Sequence, residues 1–187
     1  MPSAPDSRPR IYLAGPDVFR PDRDARFAQL KACCAARGLE GIEPSDGGLS
    51  EGFKGDDEEL AQRIYAGNIA LIQGADGVLA HLAAFRGLEP DSGTVFEVGY
   101  AVALGKPVAA YGVAPGSYAA RVSACTPCAP DAQGVLREQA NGVMVEGLGQ
   151  RLNLMLTRSA HLAEDAEAAL TWLVARLGTR PPYNPAG

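Results

Sequence analysis

Glu97 is the residue whose chemistry is hardest to explain as surface decoration. It is the only charge between Asp91 and Lys106, and it sits among Phe96, Val98, Gly99 and Tyr100, the company of a buried or half-buried helix. An ordinary helix glutamate lies in solvent and complements the macrodipole. A lone carboxylate among apolar neighbours needs a partner or a task. Two more acids, Asp76 and Asp91, flank the same region, and Tyr12 lies in an early apolar run. Two carboxylates acting on one substrate are the working parts of glycosidic bond cleavage: one attacks or stabilises the anomeric carbon, the other handles the leaving group's proton. Near a helix N-terminus Glu97 is expected to stay ionised, as a nucleophile must. Asp76 or Asp91 would exchange protons closer to neutrality if desolvated by a ring such as Phe85 or Phe19. The plainer alternatives are a turn aspartate at Asp76 and a helix cap at Asp91.

The elements that must position these residues are legible from punctuation and period. Arg10 to Gly15 is a short apolar run closed by Gly-Pro, a first buried strand. Arg23 to Arg37 is amphipathic and ends at Gly38; Leu39 to Pro44 is a short second strand. Ser45 to Gly55 is glycine-rich and polar, a flap, and Asp56 to Gln73 is a long helix with acids at its positive end. Gly77 to Leu82 is a third strand. A helix over Thr94 to Leu104 follows, with Ser92 or Thr94 as N-cap and Gly105 and Pro107 as its stop. Val108 to Val113 is the fourth strand. Residues 114–150 form an irregular excursion with one helical turn at most, and Ala160 to Leu177 is a last helix. Alternating strands and helices predict one α/β domain over 10–178, a parallel sheet with helices on both faces. Residues 1–9 are expected to be a disordered leader and 179–187 an extended tail.

In such sheets ligands bind beyond the carboxyl ends of the strands. That rule gathers Tyr12, Gly15, Asp17 and Phe19 after the first strand, Asp76 beside the third, and Phe85, Arg86, Asp91, Gly93 and Glu97 beyond it, at one rim. No Gly-x-Gly-x-x-Gly and no Walker A loop is present. Among 187 residues, 47% are apolar and 21% charged, with a net charge of −5 and no basic block, which argues against nucleic acid or an anionic membrane as partner. The first ten residues lack the apolar core of a signal peptide, so the expected location is cytoplasmic. Cys125 and Cys128 make a C-x-x-C that reads as incidental, as a redox pair or as half a zinc site, and the two histidines lie far apart.

The assembled pieces resemble the nucleoside 2-deoxyribosyltransferase family. They are IYLAGPDVF (Ile11 to Phe19), ADGVLAHL (Ala75 to Leu82), FRGLEPDSGTVFEVGYAVALGKPVAAY (Phe85 to Tyr111) and LNLML (Leu152 to Leu156). The resemblance implies a flavodoxin-like (Rossmann-like) fold. It also implies exchange of one nucleobase for another on 2-deoxyribose, by double displacement with retention and without cofactor or metal. Carried over by position, Glu97 is the nucleophile and Tyr12 orients it. Asp76 and Asp91 contact the base and manage its proton. Asn153 reaches the sugar hydroxyls from a neighbouring subunit, which implies a homo-oligomer, dimer-based and up to a hexamer. The expected small-molecule partners are deoxyribonucleosides and nucleobases.

The nearest rival reading shares the fold: deoxynucleoside 5′-monophosphate N-glycosidases, which pass the sugar to water. Against it stand Asp17, expected to repel a phosphate, and Asp91, where those hydrolases resemble each other in having serine; Arg20 points the other way. A non-catalytic nucleotide-sensing module is the remaining alternative.

Overall fold

The computed structural model describes residues 8–44 and 52–178. The expected leader, most of the flap at Ser45 to Gly55, and the tail with Tyr183 lie outside the described residues. Five strands form a parallel sheet: β1 (Arg10–Ala14), β2 (Glu40–Ile42), β3 (Gly77–His81), β4 (Val108–Tyr111) and β7 (His161–Leu162), ordered β2-β1-β3-β4-β7. Counting only sheet members, this is the 2-1-3-4-5 order of flavodoxin-like folds, which reverses direction between β1 and β3. The helices are α1 (Arg23–Ala35), α2 (Asp57–Gly74), α3 (Ser92–Ala103), α4 (Tyr118–Cys125), α5 (Leu154–Ser159) and α6 (Ala166–Leu177).

The period of two along β1 divides the core between the two faces of the sheet. Ile11 and Leu13 pack with Phe27 and Cys34 of α1 and with Leu170 and Leu173 of α6. Tyr12 and Ala14 pack with Ile72 of α2, Val98 and Ala101 of α3, and Leu156 of α5. Tyr12 therefore points toward α3 because its neighbours in sequence point away from it. The register Tyr12↔Val78 and Ala14↔Ala80 keeps the same alternation in β3.

Helix starts follow their capping residues. Asp56 and Glu59 close a reciprocal capping box on α2, and Asp165 caps α6. Gly178, in the left-handed conformation, ends α6. For α3 the cap is Asp91, one residue before Ser92 and three before Thr94, the two expected caps: Asp91 Oδ2 accepts from the Thr94 backbone N–H at 2.9 Å.

Three expectations need correction. The last helix begins at Ala166, not Ala160; the preceding residues supply the two-residue strand β7 on the sheet edge, so Leu162 is strand. The excursion is more regular than expected, with α4 and an antiparallel hairpin, β5 (Cys128–Pro130) and β6 (Leu136–Glu138). Asp131 organises the hairpin turn by accepting from the Gln133 and Val135 N–H groups and from Arg137 Nε.

Asp76 is the third. It precedes β3 and so lies at the amino rim of the sheet, where its Oδ2 accepts from the Arg10 backbone N–H at 2.7 Å and its own N–H donates to the Arg10 carbonyl. In a parallel sheet that is the edge opposite the carboxyl ends that gather Gly15 and Phe85.

Candidate active site

The site begins with one hydrogen bond between a strand and a helix. Tyr12 Oη donates to Glu97 Oε1 at 2.6 Å, and Tyr12 has no exposed surface. Burial, with the Glu97 charge and hydrogen bond adding to it, drives the Tyr12 hydroxyl far above its usual range, so it remains a donor. Burial also pushes Glu97 up to about 7; the Tyr12 hydrogen bond opposes the rise and the Asp91 charge adds to it. The expectation of a permanently ionised Glu97 gives way here. Glu97 stands in the second turn, six residues past the cap, beyond the reach of the helix N-terminus, and desolvation dominates.

Glu97 opens into a cavity of about 330 Å³. The chain leaving β1 supplies Gly15, Val18 and Phe19; α1 adds Arg23, α2 adds Ile64 and Asn68, and α3 adds Asp91, Gly93 and Thr94. A wider concavity of about 910 Å³ runs along the outer face of α2, but its walls are the solvated side chains of Phe53, Glu58, Gln62 and Tyr65. The smaller cavity, which contains a buried carboxylate with a fixed partner, is the better candidate.

At the cavity mouth Phe19 is 61% exposed and stacks on Phe85 with ring centroids 5.5 Å apart. The Arg86 guanidinium lies 4.8 Å from the Phe85 centroid and 5.9 Å from that of Phe19. An exposed ring already backed by a second ring is a platform for another flat, apolar face. Asp91 spends Oδ2 on the Thr94 N–H and hydroxyl, at 2.9 and 3.0 Å, which leaves Oδ1 without a hydrogen bond among the described residues. The capping alternative for Asp91 is thus real and does not remove it from the cavity wall. At Gly15 a Cβ would fall 2.9 Å from His81 Cβ, so the chain can turn past β3 here only without a side chain.

Two expected contacts are not gathered within one subunit. Asp17 is 3% exposed and turned away: its Oδ2 is 2.6 Å from His81 Nδ1 and its Oδ1 3.5 Å from Arg26 Nη1. Burial works against its charge, but the His81 hydrogen bond and the charges of His81, Arg26 and Arg20 prevail and hold it below the usual carboxylate range. Asn153 caps α5, accepting from the Met155 N–H and donating to Glu146. It lines a separate groove with Val95, Val98 and Val102 of α3. Arg23 and Asn68, like Val18, Pro44, Ile64 and Thr94, line the wall without having been singled out as site residues from the sequence. Asn68 had a signal: in Tyr-Ala-Gly-Asn-Ile-Ala-Leu-Ile it is the one amide in an apolar stretch, one helical turn after Ile64.

A family model described as nucleoside 2-deoxyribosyltransferase matches residues 11–155, which include Tyr12, Asn68, Asp91 and Glu97. The chain belongs to this family. Among solved structures it is similar to a 2-deoxyribosyltransferase of Leishmania mexicana, at 28% identity and a TM-score of 0.67, over 89% of this chain and 97% of the other. A 2-deoxyribosyltransferase of Bacillus psychrosaccharolyticus shares the fold, at 22% identity and a TM-score of 0.56, over 93% and 99% of the two chains. An uncharacterised protein of Schizosaccharomyces pombe is 37% identical over 110 residues. That match takes in 57% of this chain and 51% of the relative, so the chain spans about half the length of that curated relative.

A carboxyl raised by folding penalises the folded state once it ionises. Between its unfolded range near 4.5 and about 7, the folded chain holds the extra proton, so this contribution to stability falls as pH rises through that window. Glu97→Gln keeps an acceptor for Tyr12 and removes the charge. Thermal melts at pH 8 are expected to show the variant more stable by about 1–3 kcal/mol, with the difference vanishing near pH 4.5. Asp76 carries the opposite expectation. Asp76→Ala should lower stability by about 1 kcal/mol through the lost bond to Arg10. Its kcat/KM should stay within about twofold of the parent, because Asp76 touches nothing at the catalytic rim.

Proposed function

We propose that this chain moves 2-deoxyribose from one nucleobase to another by double displacement through an ester on Glu97. The observation that carries the reading is the Tyr12–Glu97 pair set in the cavity wall. Tyr12 occupies Oε1 and leaves Oε2 free to attack. Oε2 forms a bond to the anomeric carbon as the bond from that carbon to the base nitrogen breaks, and the bonding pair leaves with the base. A proton reaches the departing base from the Asp91 side, where Oδ1 is uncommitted. A second base then attacks the same carbon from the vacated face, expels the Glu97 carboxylate and returns its proton to Asp91 Oδ1. Two inversions restore the original configuration. Phe19, stacked on Phe85, supplies the face on which each base in turn rests.

The reading includes a homo-oligomer built on dimers. What supports it is the exposed flank of α3 and α5, where Met155 is 71% exposed and Val102 36% exposed, with Asn153 on the same flank and not in the wall of its own Glu97 cavity. In that arrangement Asn153 serves the cavity of a neighbouring copy.

A second reading, hydrolysis of a deoxynucleoside 5′-monophosphate, gains from two observations. Arg23 lines the cavity, and the carboxylate expected to repel phosphate, Asp17, is turned away and paired with Arg26. One incubation separates the readings: thymidine with adenine, followed by chromatography, beside a Glu97→Ala control and a parallel tube of thymidine 5′-monophosphate. The expected outcome is deoxyadenosine plus thymine, reduced at least about a thousandfold in the control. Thymine released from the monophosphate alone would overturn base exchange in favour of hydrolysis. Because the nucleophile must be ionised, kcat/KM should fall below about pH 7 as Glu97 takes up its proton. Tyr12→Phe removes the bond that opposes the rise, and should move that acid limb to higher pH.

A further inference from the structure

The short 3-10 helix Pro16–Phe19 carries the ring on which a base would rest, and it is held from outside the Glu97 cavity. His81, the last residue of β3, touches this segment twice. Its Nδ1 lies 2.6 Å from Asp17 Oδ2, and its Cβ crowds Gly15 so closely that only a glycine fits there. Asp17 is ionised and 3% exposed, so it can only accept; Nδ1 therefore carries the hydrogen in the neutral and the charged imidazole alike. The ring has one orientation to offer. It lies flat against Tyr111, with planes 6° apart, and Gly112 closes off its far edge. As a source of stability a buried ion pair is poor, because apolar residues of the same volume often serve as well. What this pair supplies is a fixed direction.

We propose that His81 is a positioning residue for base binding: through Asp17 it sets the place of the Pro16–Phe19 segment, and so the place of the Phe19 ring against the base. The role rests on the nucleoside reading above and names what fixes its platform. Phe19 is two residues past Asp17, and the Arg20 N–H closes the segment by donating to the Asp17 carbonyl at 3.1 Å. Main chain and side chain of Asp17 thus belong to one frame. Phe85 does not lock the ring by itself, since the two planes are 24° apart and Phe19 stays 61% exposed. Arg26 is the weaker tether on Asp17, at 3.5 Å from a side chain that is 37% exposed. His81 does not line the Glu97 cavity, so it acts on the base through Phe19 and takes no part in proton transfer.

The test reads affinity without turnover, by calorimetry with 2′-deoxyadenosine and with thymidine in the Glu97→Gln background. His81→Leu should weaken both about tenfold. His81→Asn, whose carboxamide keeps an N–H for Asp17, should recover most of that loss. With Phe19→Ala already in place, His81→Leu should change affinity by less than about twofold, because the ring it positions is gone. Losses that multiply in the double variant place the effect elsewhere and overturn the proposal, as does unchanged affinity in His81→Leu. Where His81→Leu fails to fold, Asp17→Ala breaks the same bond from the other side and carries the same expectations. With Glu97 restored, the loss should appear in KM, with kcat within about threefold and the acid limb unmoved; a loss confined to kcat also overturns it. No nucleoside binding at all sinks both readings, and binding that ignores His81 sinks only this one. Binding that depends on His81 without base exchange sinks the transferase reading alone.

Discussion

The site depends on a hydrogen bond made where water is excluded. Tyr12 can hold Glu97 because β1 directs alternate side chains to opposite faces and α3 passes over the face that Tyr12 shares. The same burial that fixes the carboxylate makes its charge expensive, and among the described residues one hydrogen bond offsets the loss of solvent. A carboxylate held in that state is poorly solvated and fixed in orientation, the condition that the proposed attack on a sugar carbon requires.

The rest of the rim is arranged by close approach as well as by charge. His81, the last residue of β3, stacks on Tyr111 at 4.6 Å and binds Asp17. Gly112, at a φ of 79°, lies so near that a Cβ there would fall 2.5 Å from the His81 ring. Asp17 is thereby pinned from beneath by His81 and from α1 by Arg26. It anchors the turn that presents Val18 and Phe19 and does not itself line the Glu97 cavity.

How far the sequence could be read depended on whether a feature was local. The α3 segment carried its own signals in Gly105, Pro107 and the valine period, and Glu97 stood out by its company. Tyr12 was visible as strand, and its meeting with Glu97 followed from the family resemblance rather than from spacing. Errors arose where the third dimension decides. Asp76 was assigned to the catalytic rim although a residue that precedes a parallel strand enters at the opposite edge. Asp17 looked like a loop carboxylate because its partners, Arg26 and His81, are 9 and 64 positions away. β7 is two residues long, too short for any periodicity, and exists because Ala110 offers it a ladder. Asn68 was passed over because a helical amide counts for little until the fold sets it in a cavity wall.

The hairpin of β5 and β6 invites a different kind of use. It forms its own two-stranded sheet, Asp131 closes its turn from within, and none of its residues borders the Glu97 cavity. Its tip at Gln133 and Gly134 is exposed or half-exposed and already runs through a left-handed glycine. Such a self-contained projection is a natural attachment point, where a reporter dye or a short peptide tag can be inserted while the sheet, its helices and the Tyr12–Glu97 pair keep their places.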